Sequence, residues 1–404
     1  MSRTTVHIRA SAEAARSIGA WVRSAGAAAT QSEKGADVVV IADPAALPQF
    51  RSQQLTVALV DDRQQWASPL RSSAVDAIIP VDDKARSQQP SIPFDVGSQE
   101  TPLDEILDRV RAKPRVGVGT SVRFRHRAEL WGDTHFARDL SDALRRLGWR
   151  TEVQTHRSLA RSQNSANDVL LYLRGLRPCP AVATPAVLWV ISHPDMVTAD
   201  EVAGYQAAFA AGKGAAEALG ATELLQATDP HRFFPDPIDN SLKNTALFVG
   251  SAARGRQRRS VEHALEAGLP VGLIGPGWKR SHKTLVVADR VANTELHRYY
   301  SAAGIVLNDH WADMAEYAMP SNRLFDAVAS GAAVLSDAVE GADELFGSAV
   351  RTFSTSDEFR DLALEMLERA PSHELRQQWR QRVVSQHTFD HRAQIVDGTL
   401  RPLC

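Results

Sequence analysis

Short apolar runs alternate with amphipathic stretches along most of the chain, and this alternation restricts the fold more than any other feature. TVHIRA (5–10), ADVVVIAD (36–43), LTVALVDD (55–62) and DAIIPVDD (76–83) come first. RVGVGT (115–120), DVLLYL (168–173) and AVLWVIS (186–192) follow, then TALFVGS (245–251), PVGLIG (270–275), GIVLND (304–309) and AAVLSD (332–337). Such β-branched runs, bounded by helix-like or polar stretches, suit buried parallel strands. Between them lie helical periodicities, such as Phe136, Leu140, Leu144 and Leu147 at spacings of four, four and three. Strands and helices taking turns predict an α/β protein whose parallel sheets are covered on both faces.

Breaks in the alternation predict the domains. Residues 1–113 read as a small receiver-like α/β domain, closed by the helix LDEILDRVRA and by Lys113-Pro114. Residues 114–240 form a second Rossmann-like unit and end in the proline-rich DPHRFFPDPIDN, which reads as a linker. Residues 241–385 form a third such unit, in which Gly331 stands where a helix C-terminus calls for a left-handed residue. Residues 386–404 are expected as a helical tail returning to the second unit. Two such units joined by a hinge bind ligands between them, at the carboxyl ends of their strands.

Composition narrows the function. With 404 residues, the chain is long enough for two or three domains at roughly 100–200 residues each. Its 46 Lys+Arg against 48 Asp+Glu argue against a general nucleic-acid coat. Cys179 and Cys404 are too few for a disulfide framework or a zinc site. The N-terminal MSRTTVHIRASAEAARS has no apolar signal core, and no run of 18 apolar residues occurs, so a cytoplasmic protein without a transmembrane segment is expected. There is no P-loop, no G-x-S-x-G and no H-E-x-x-H; after Gly117 and Gly119 the third dinucleotide-fingerprint position holds Val122. With no D-x-D, no metal ligands and no cofactor are expected.

Four constellations carry chemistry. Residues 251–290 hold eight Lys/Arg, among them Arg254, Arg256, Arg258 and Arg259, against three acids. A strand ending in Gly250-Ser251, then arginines and a helix start, suits a diphosphate; the plainer alternative is a solvated basic face. In MPSNRLFDAVASG (319–331), Pro320 and Ser321 suit a helix N-terminus, and Asn322 and Asp326 share a face four residues apart. An acid there can hold a ribose whose phosphates lie at the helix start, or it is simply an exposed residue behind an N-cap. In WGDTHFARDL (131–140), Asp133 is a candidate general base or an N-cap, and His135 a first-turn histidine favoured in its neutral form or a packed one. In VISHPD (190–195), His193 and Asp195 follow a strand, either facing the ligand or building a turn.

These segments together resemble nucleotide-sugar-dependent glycosyltransferases of the GT-B fold, in particular the CgeB-like branch of the glycosyl transferase group 1 family. WGDTHFARDLSDALRRLGW, LWVISHPDMVTADEVAGY, ATDPHRFFP, LFVGSAARGRQRR, SNRLFDAVASGAAVLSD and HTFDHRA carry the resemblance, over about 115–395. It implies two Rossmann-like domains facing a cleft, the acceptor side at 114–240 and the donor side at 241–385, with 1–113 as an extra domain outside the match. Asp326 falls at the family's ribose-binding acid, and Ser321 and Asn322 at positions that approach the diphosphate. Arg254 and Arg259, with Ser251 at the strand end, fall where the phosphates are neutralised; Val291 falls in the stretch whose backbone meets the nucleobase. His193 resembles the histidine that touches the transferred sugar, while the family's second acid is replaced by Ala318, with Glu316 nearby.

The reaction so implied is hexosyl or deoxyhexosyl transfer from a nucleoside-diphosphate sugar to an acceptor hydroxyl on a glycan, protein or small metabolite. No metal is expected: arginines and a helix N-terminus stabilise the departing diphosphate. If the reaction inverts, Asp133 or His135 is the base; if it retains, His193 orients the sugar. A sugar-nucleotide 2-epimerase and a non-catalytic binding module are the alternatives. Residues 1–113 lack an acidic pair after their first strand, which argues against phosphotransfer and leaves acceptor recognition or self-association.

Overall fold

The computed structural model describes residues 5–9, 18, 22, 28–30, 38–42, 55–60, 77–80, 95–96, 103–161, 167–252, 258–278 and 280–404. The first sheet contains β1 (Thr5–Arg9), β2 (Ala28–Thr30), β3 (Val38–Ile41), β4 (Leu55–Val60), β5 (Ala77–Pro80) and β6 (Asp95–Val96), in the order β2-β1-β3-β4-β5-β6. The second contains β7 (Arg115–Thr120), β8 (Arg150–Thr155), β9 (Val169–Arg174), β10 (Ala186–Val190), β11 (Ala207–Ala210) and β12 (Thr222–Glu223), in the order β12-β11-β10-β9-β7-β8. The third contains β13 (Ala246–Val249), β14 (Val271–Ile274), β15 (Val286–Ala288), β16 (Ile305–Asn308), β17 (Val334–Asp337) and β18 (Val350–Phe353), in the order β15-β14-β13-β16-β17-β18. Every pair in the first and third sheets is parallel. The α/β class expected from the alternation is therefore the class observed.

By its internal contacts the chain divides into two compact units. One comprises Met1–Leu188, Tyr205–Ala207 and Ala393–Cys404; the other comprises Trp189–Gly204 and Ala208–Arg392. Within the first, the Trp149 indole donates to Asp397 Oδ1 at 2.6 Å and Arg401 donates to the Leu147 carbonyl at 2.7 Å, which fastens the end of the chain.

The third sheet shows how strand periodicity builds two cores. Ala246, Phe248, Leu273, Ile305 and Leu307 pack on one face with Val261, Ala264, Phe359 and Ala363 from the helices Arg259–Glu266 and Ser356–Glu368. Leu247, Ile274, Val306 and Val334 pack on the other with Tyr300, Leu324, Phe325, Val328, Trp379 and Val383. These come from the helices Leu296–Ala302, Asn322–Ala329 and His373–Val384. Adjacent strand residues point to opposite faces, so each strand feeds both cores and must be apolar throughout.

Local signals place the helix ends. The Thr355 hydroxyl and the Glu358 carboxylate form a capping box at the start of Ser356–Glu368, and Ser372 caps His373–Val384. Gly331 follows Asn322–Ala329 at φ 75°, the left-handed turn expected there. The proline-rich stretch expected as a linker is tied down: Phe233 is buried in the core, and Arg380 donates to the carbonyls of Phe233, Ala329 and Pro230.

One backbone approach is close enough to test. A Cβ at Gly212 would lie 2.1 Å from the Ala318 carbonyl oxygen and 2.7 Å from the Met319 Cα. Ala318 has φ 50°, and the Ala215 amide donates to the Tyr317 carbonyl at 3.0 Å. The obstruction is backbone, so no side chain can move aside. Gly212→Ala is expected to destabilise the protein by about 1–3 kcal/mol through overpacking. Urea denaturation of the two proteins measures it; an unchanged midpoint contradicts the packing described.

Candidate functional site

In the third sheet the strand order reverses between β13 and β16, and ligands of open parallel sheets bind beyond the strand ends at such a point. β13 runs into Gly250-Ser251, β16 ends at Asn308 and runs into Asp309-His310, and β17 ends at Asp337. The helix Asn322–Ala329 begins beside them, with Ser321 as its N-cap.

Buried polar contacts lock this edge. Asn308, fully buried, donates from Nδ2 to Ser336 Oγ at 2.9 Å. Its Oδ1 accepts from Ser321 Oγ at 3.0 Å and Arg323 Nη1 at 2.8 Å. Because its hydroxyl is turned to Asn308, Ser321 makes no side-chain cap. Arg258 donates to the Ser251 carbonyl at 2.7 and 3.1 Å and pairs with Asp309 at 2.9 Å. The Arg258 and Arg323 guanidinium carbons lie 5.1 and 4.8 Å from the centroid of the Phe248 ring, so two cations are gathered on one aromatic side chain.

Ser251, Ser321 and Asn322 thus lie on this edge. Val291, half-buried beyond β15, packs on the core containing Leu324 and Phe325. Arg259 is exposed at the first position of its helix, and the neighbouring Arg258 makes the contacts with Ser251 and Asp309. Arg254 lies outside the described residues. Asp326 is buried; its Oδ1 accepts from Thr228 Oγ1 at 2.8 Å and its Oδ2 from Asn322 Nδ2 at 2.7 Å. Thr228 is itself bracketed by the far C-terminus: its amide donates to the His387 carbonyl at 3.0 Å and its carbonyl accepts from the Phe389 amide at 3.1 Å. Arg392 braces this segment, donating to the carbonyls of Leu225 and Gln226 at 2.6 and 3.0 Å and to His387 Nδ1 at 2.7 Å.

His193 belongs to the same compact unit. It is a non-glycine residue in the left-handed region, φ 53°, followed by a 3-10 turn at Pro194–Met196. Its Nδ1 lies 3.2 Å from Asp313 Oδ2, and its ring centroid is 5.0 Å from that of Trp311. Desolvation raises the Asp313 carboxyl above its ordinary value, and a hydrogen bond with Asp195 raises it further against the attraction of His193. His193, Asp195 and Asp313 have ligand atoms within 4.8 Å of one another, the arrangement among the described residues that could hold a cation. Trp311 and Met196, both near this group in sequence, are exposed apolar side chains.

Asp133 and His135 belong to the other unit. Asp133 lies in the first turn of Gly132–Arg146 and accepts from Ser121 Oγ at 3.1 Å; Trp131 is the N-cap, so Asp133 is not. Ser121 follows β7, and its Oγ also accepts from the Leu176 amide at 3.2 Å. Asp133 therefore stands beside the β7–β9 neighbourhood, where the second sheet's order reverses. The His135 Nε2 lies 3.2 Å from the Glu129 carbonyl oxygen, and the residue is half-buried.

Sequence reasoning missed Asn308, His310, Asp313, Arg323, Asp337 and Thr228. GIVLND and AAVLSD did end in polar residues at strand termini, the one signal that pointed toward Asn308 and Asp337.

Residues 256–397 match the family described as glycosyl transferase-like. Among solved structures the chain is similar to AviGT4, a glycosyltransferase involved in avilamycin A biosynthesis: 14% identity, TM-score 0.53, covering 72% of this chain and 98% of that one. It is similar to sucrose-phosphate synthase from Thermosynechococcus elongatus, with 15% identity, TM-score 0.53 and coverage of 72% and 99%. It is also similar to HepE from Anabaena, solved with UDP-glucose, with 13% identity, TM-score 0.50 and coverage of 71% and 99%. No curated protein matches in sequence. At these identities the likeness is one of fold: an α/β protein with parallel sheets in several domains, as in GT-B glycosyltransferases. Among the described residues, no helix is long and apolar enough to cross a membrane.

The brace on Thr228 makes stability depend on pH. Burial, with Arg392 adding to it, lowers the His387 pKa from 6.5 to about 4. The folded state therefore keeps His387 neutral where the unfolded chain binds a proton, so its contribution is complete above about pH 6.5 and declines as pH falls toward 4. His387→Gln is expected to flatten the stability profile across that window. Urea midpoints between pH 4 and 8 measure it, and parallel profiles for the two proteins exclude this role.

Proposed function

We propose that this chain transfers a hexosyl or deoxyhexosyl group from a nucleoside-diphosphate sugar to an acceptor hydroxyl, without a metal ion. The reading that it belongs with the CgeB-like branch, acting in the cytoplasm, is part of the same proposal. The observation that carries it is the convergence at the β13–β16 reversal: a helix start whose N-cap hydroxyl is turned away, beside two guanidinium groups held in place. Free helix amides and fixed cations favour an anion that gains charge as a bond breaks.

On this reading the diphosphate lies against Ser251, Ser321 and Asn322, with Arg258 and Arg323 contributing charge alongside the Arg254 and Arg259 expected from the sequence. Ribose hydroxyls join or displace Thr228 and Asn322 as donors to Asp326, and backbone near Val291 meets the base. His193 orients the transferred sugar. Asp133 is the better of the two candidate bases for an inverting reaction, because the nitrogen of His135 is turned to a carbonyl. Residues 1–113 serve acceptor recognition or self-association.

Calorimetric titration with UDP, dTDP and GDP, with and without EDTA, tests the proposal. At least one nucleotide should bind, and EDTA should not abolish binding; failure of either expectation removes the metal-independent donor reading. Asp326→Ala should weaken binding about 10- to 100-fold, the value of hydrogen bonds to a charged group, while Asp133→Ala changes it less than twofold, roughly within the scatter of a surface change. Equal losses contradict the assignment of donor and acceptor residues. An NMR time course in which donor alone yields an epimer would instead identify a 2-epimerase.

A further inference from the structure

The ends of β16 and β17 hold a histidine whose two ring nitrogens face partners of fixed and opposite character. His310 Nδ1 lies 2.6 Å from Asp337 Oδ1, and the His310 backbone amide donates to both Asp337 oxygens at 3.1 and 2.9 Å. Both Asp337 oxygens accept from the His310 amide, and Oδ1 accepts also from Ser336 Oγ at 3.2 Å, the pattern of a carboxylate that only accepts. On the other side of the ring the Ser321 amide approaches Nε2 at 3.1 Å, and an amide N–H only donates. The proton must therefore sit on Nδ1, and Nε2 must be bare. An imidazolium would set an N–H against the Ser321 N–H. The side chain is fully buried, so no solvent offers an alternative partner.

We propose that His310, fixed as its Nδ1–H tautomer by Asp337, is a positioning residue of the donor site, its Nε2 holding the Ser321 amide and thereby setting where the helix Asn322–Ala329 begins. This rests on the donor reading given above. Ser321 is held at two points, its amide on His310 and its hydroxyl on Asn308. With both fixed, the amides that follow, and Arg323 bound to Asn308, start from one place. His310 touches no ligand on this account and acts through Ser321.

Two measurements test this. The first is a long-range ¹H–¹⁵N correlation spectrum of histidine-labelled protein at neutral pH, with the His310 resonances identified by their absence in His310→Gln. A protonated Nδ1 and bare Nε2 are expected; an Nε2–H tautomer or an imidazolium overturns the proposal.

The second is UDP affinity by calorimetry, with melting curves confirming the fold of each variant. His310→Gln places an acceptor near the lost Nε2 and should bind UDP within about threefold of wild type; His310→Asn keeps a donor for Asp337 but nothing at Nε2 and should lose about tenfold, the order of one hydrogen bond. Equal affinities in the two variants overturn the role. Because replacing a buried histidine can impair folding, Ser321→Pro supplies a second route. It removes the amide hydrogen at a residue whose φ of −69° suits proline. It should bind UDP about tenfold more weakly than Ser321→Ala, which loses only the hydroxyl, and equal affinities again overturn the role. Wild-type protein that binds no nucleotide overturns the donor reading and this role with it, whereas UDP binding with the wrong tautomer overturns the role alone.

Discussion

A parallel sheet brings the carboxyl ends of all its strands to one edge, and in the third sheet the connections leave β13 and β16 in opposite directions along it. Everything assembled at the candidate site depends on that reversal. Strands about 4.8 Å apart carry His310 and Asp337, 27 residues apart in sequence, within 2.6 Å of each other. The same edge sets Ser251 against Arg258 and, through Asp309, joins the loop after β13 to the end of β16. His310 and Asp337 would not meet in a sheet whose strands alternated in direction, because half the loops would open at the opposite edge.

The edge would be a poor binding surface if it moved, and arginine–carbonyl contacts supply much of the bracing. Arg376 takes the Gly331 carbonyl at the end of the helix Asn322–Ala329, where the helix dipole favours a cation, and Arg380 takes that of Ala329. Arg380 and Arg392 also take the carbonyls of Phe233, Pro230, Leu225 and Gln226. Burial lowers the pKa of all three, that of Arg392 to about 10, which still leaves Arg392 charged at neutral pH. A proline-rich stretch that reads as a linker is thereby fastened, and with it Thr228 and the carboxylate of Asp326.

What the sequence revealed and what it hid divide along a physical line. β1, β3, β4, β5, β7, β9, β10, β13, β14, β16 and β17 were readable, because a strand with neighbours on both sides favours a run rich in apolar, β-branched residues. The six edge strands, β2, β6, β8, β12, β15 and β18, were not, nor was β11. β8 reads RTEVQT, a polar sequence without the apolar run of an interior strand, although Arg150, Thr151, Glu152 and Gln154 are buried in the fold. At the site, Ser321, Asn322 and Asp326 were legible because helix-start chemistry is local. Asn308, His310 and Asp337 were not, because their roles exist only between neighbouring strands. The choice between Arg258 and Arg259 turned on which of two adjacent side chains faces Asp309, and nothing in composition or spacing decides that.

Two His–Asp pairs of the same compact unit show how burial separates holding from reacting. His310 has no exposed side-chain surface and faces one obligate acceptor and one obligate donor, so a single protonation state satisfies it. His193 and Asp313 each retain 12% side-chain exposure, and Asp313 is shared with a second carboxylate, Asp195, and titrates above its ordinary range. Trp311, itself exposed, stands with its ring centroid 5.0 Å from that of His193. On the proposed donor reading, the rigid pair fixes backbone and the half-buried pair meets the sugar. A site that handles a departing diphosphate needs both: charges that do not reorganise as the bond breaks, and a polar group near the sugar that can respond when it does.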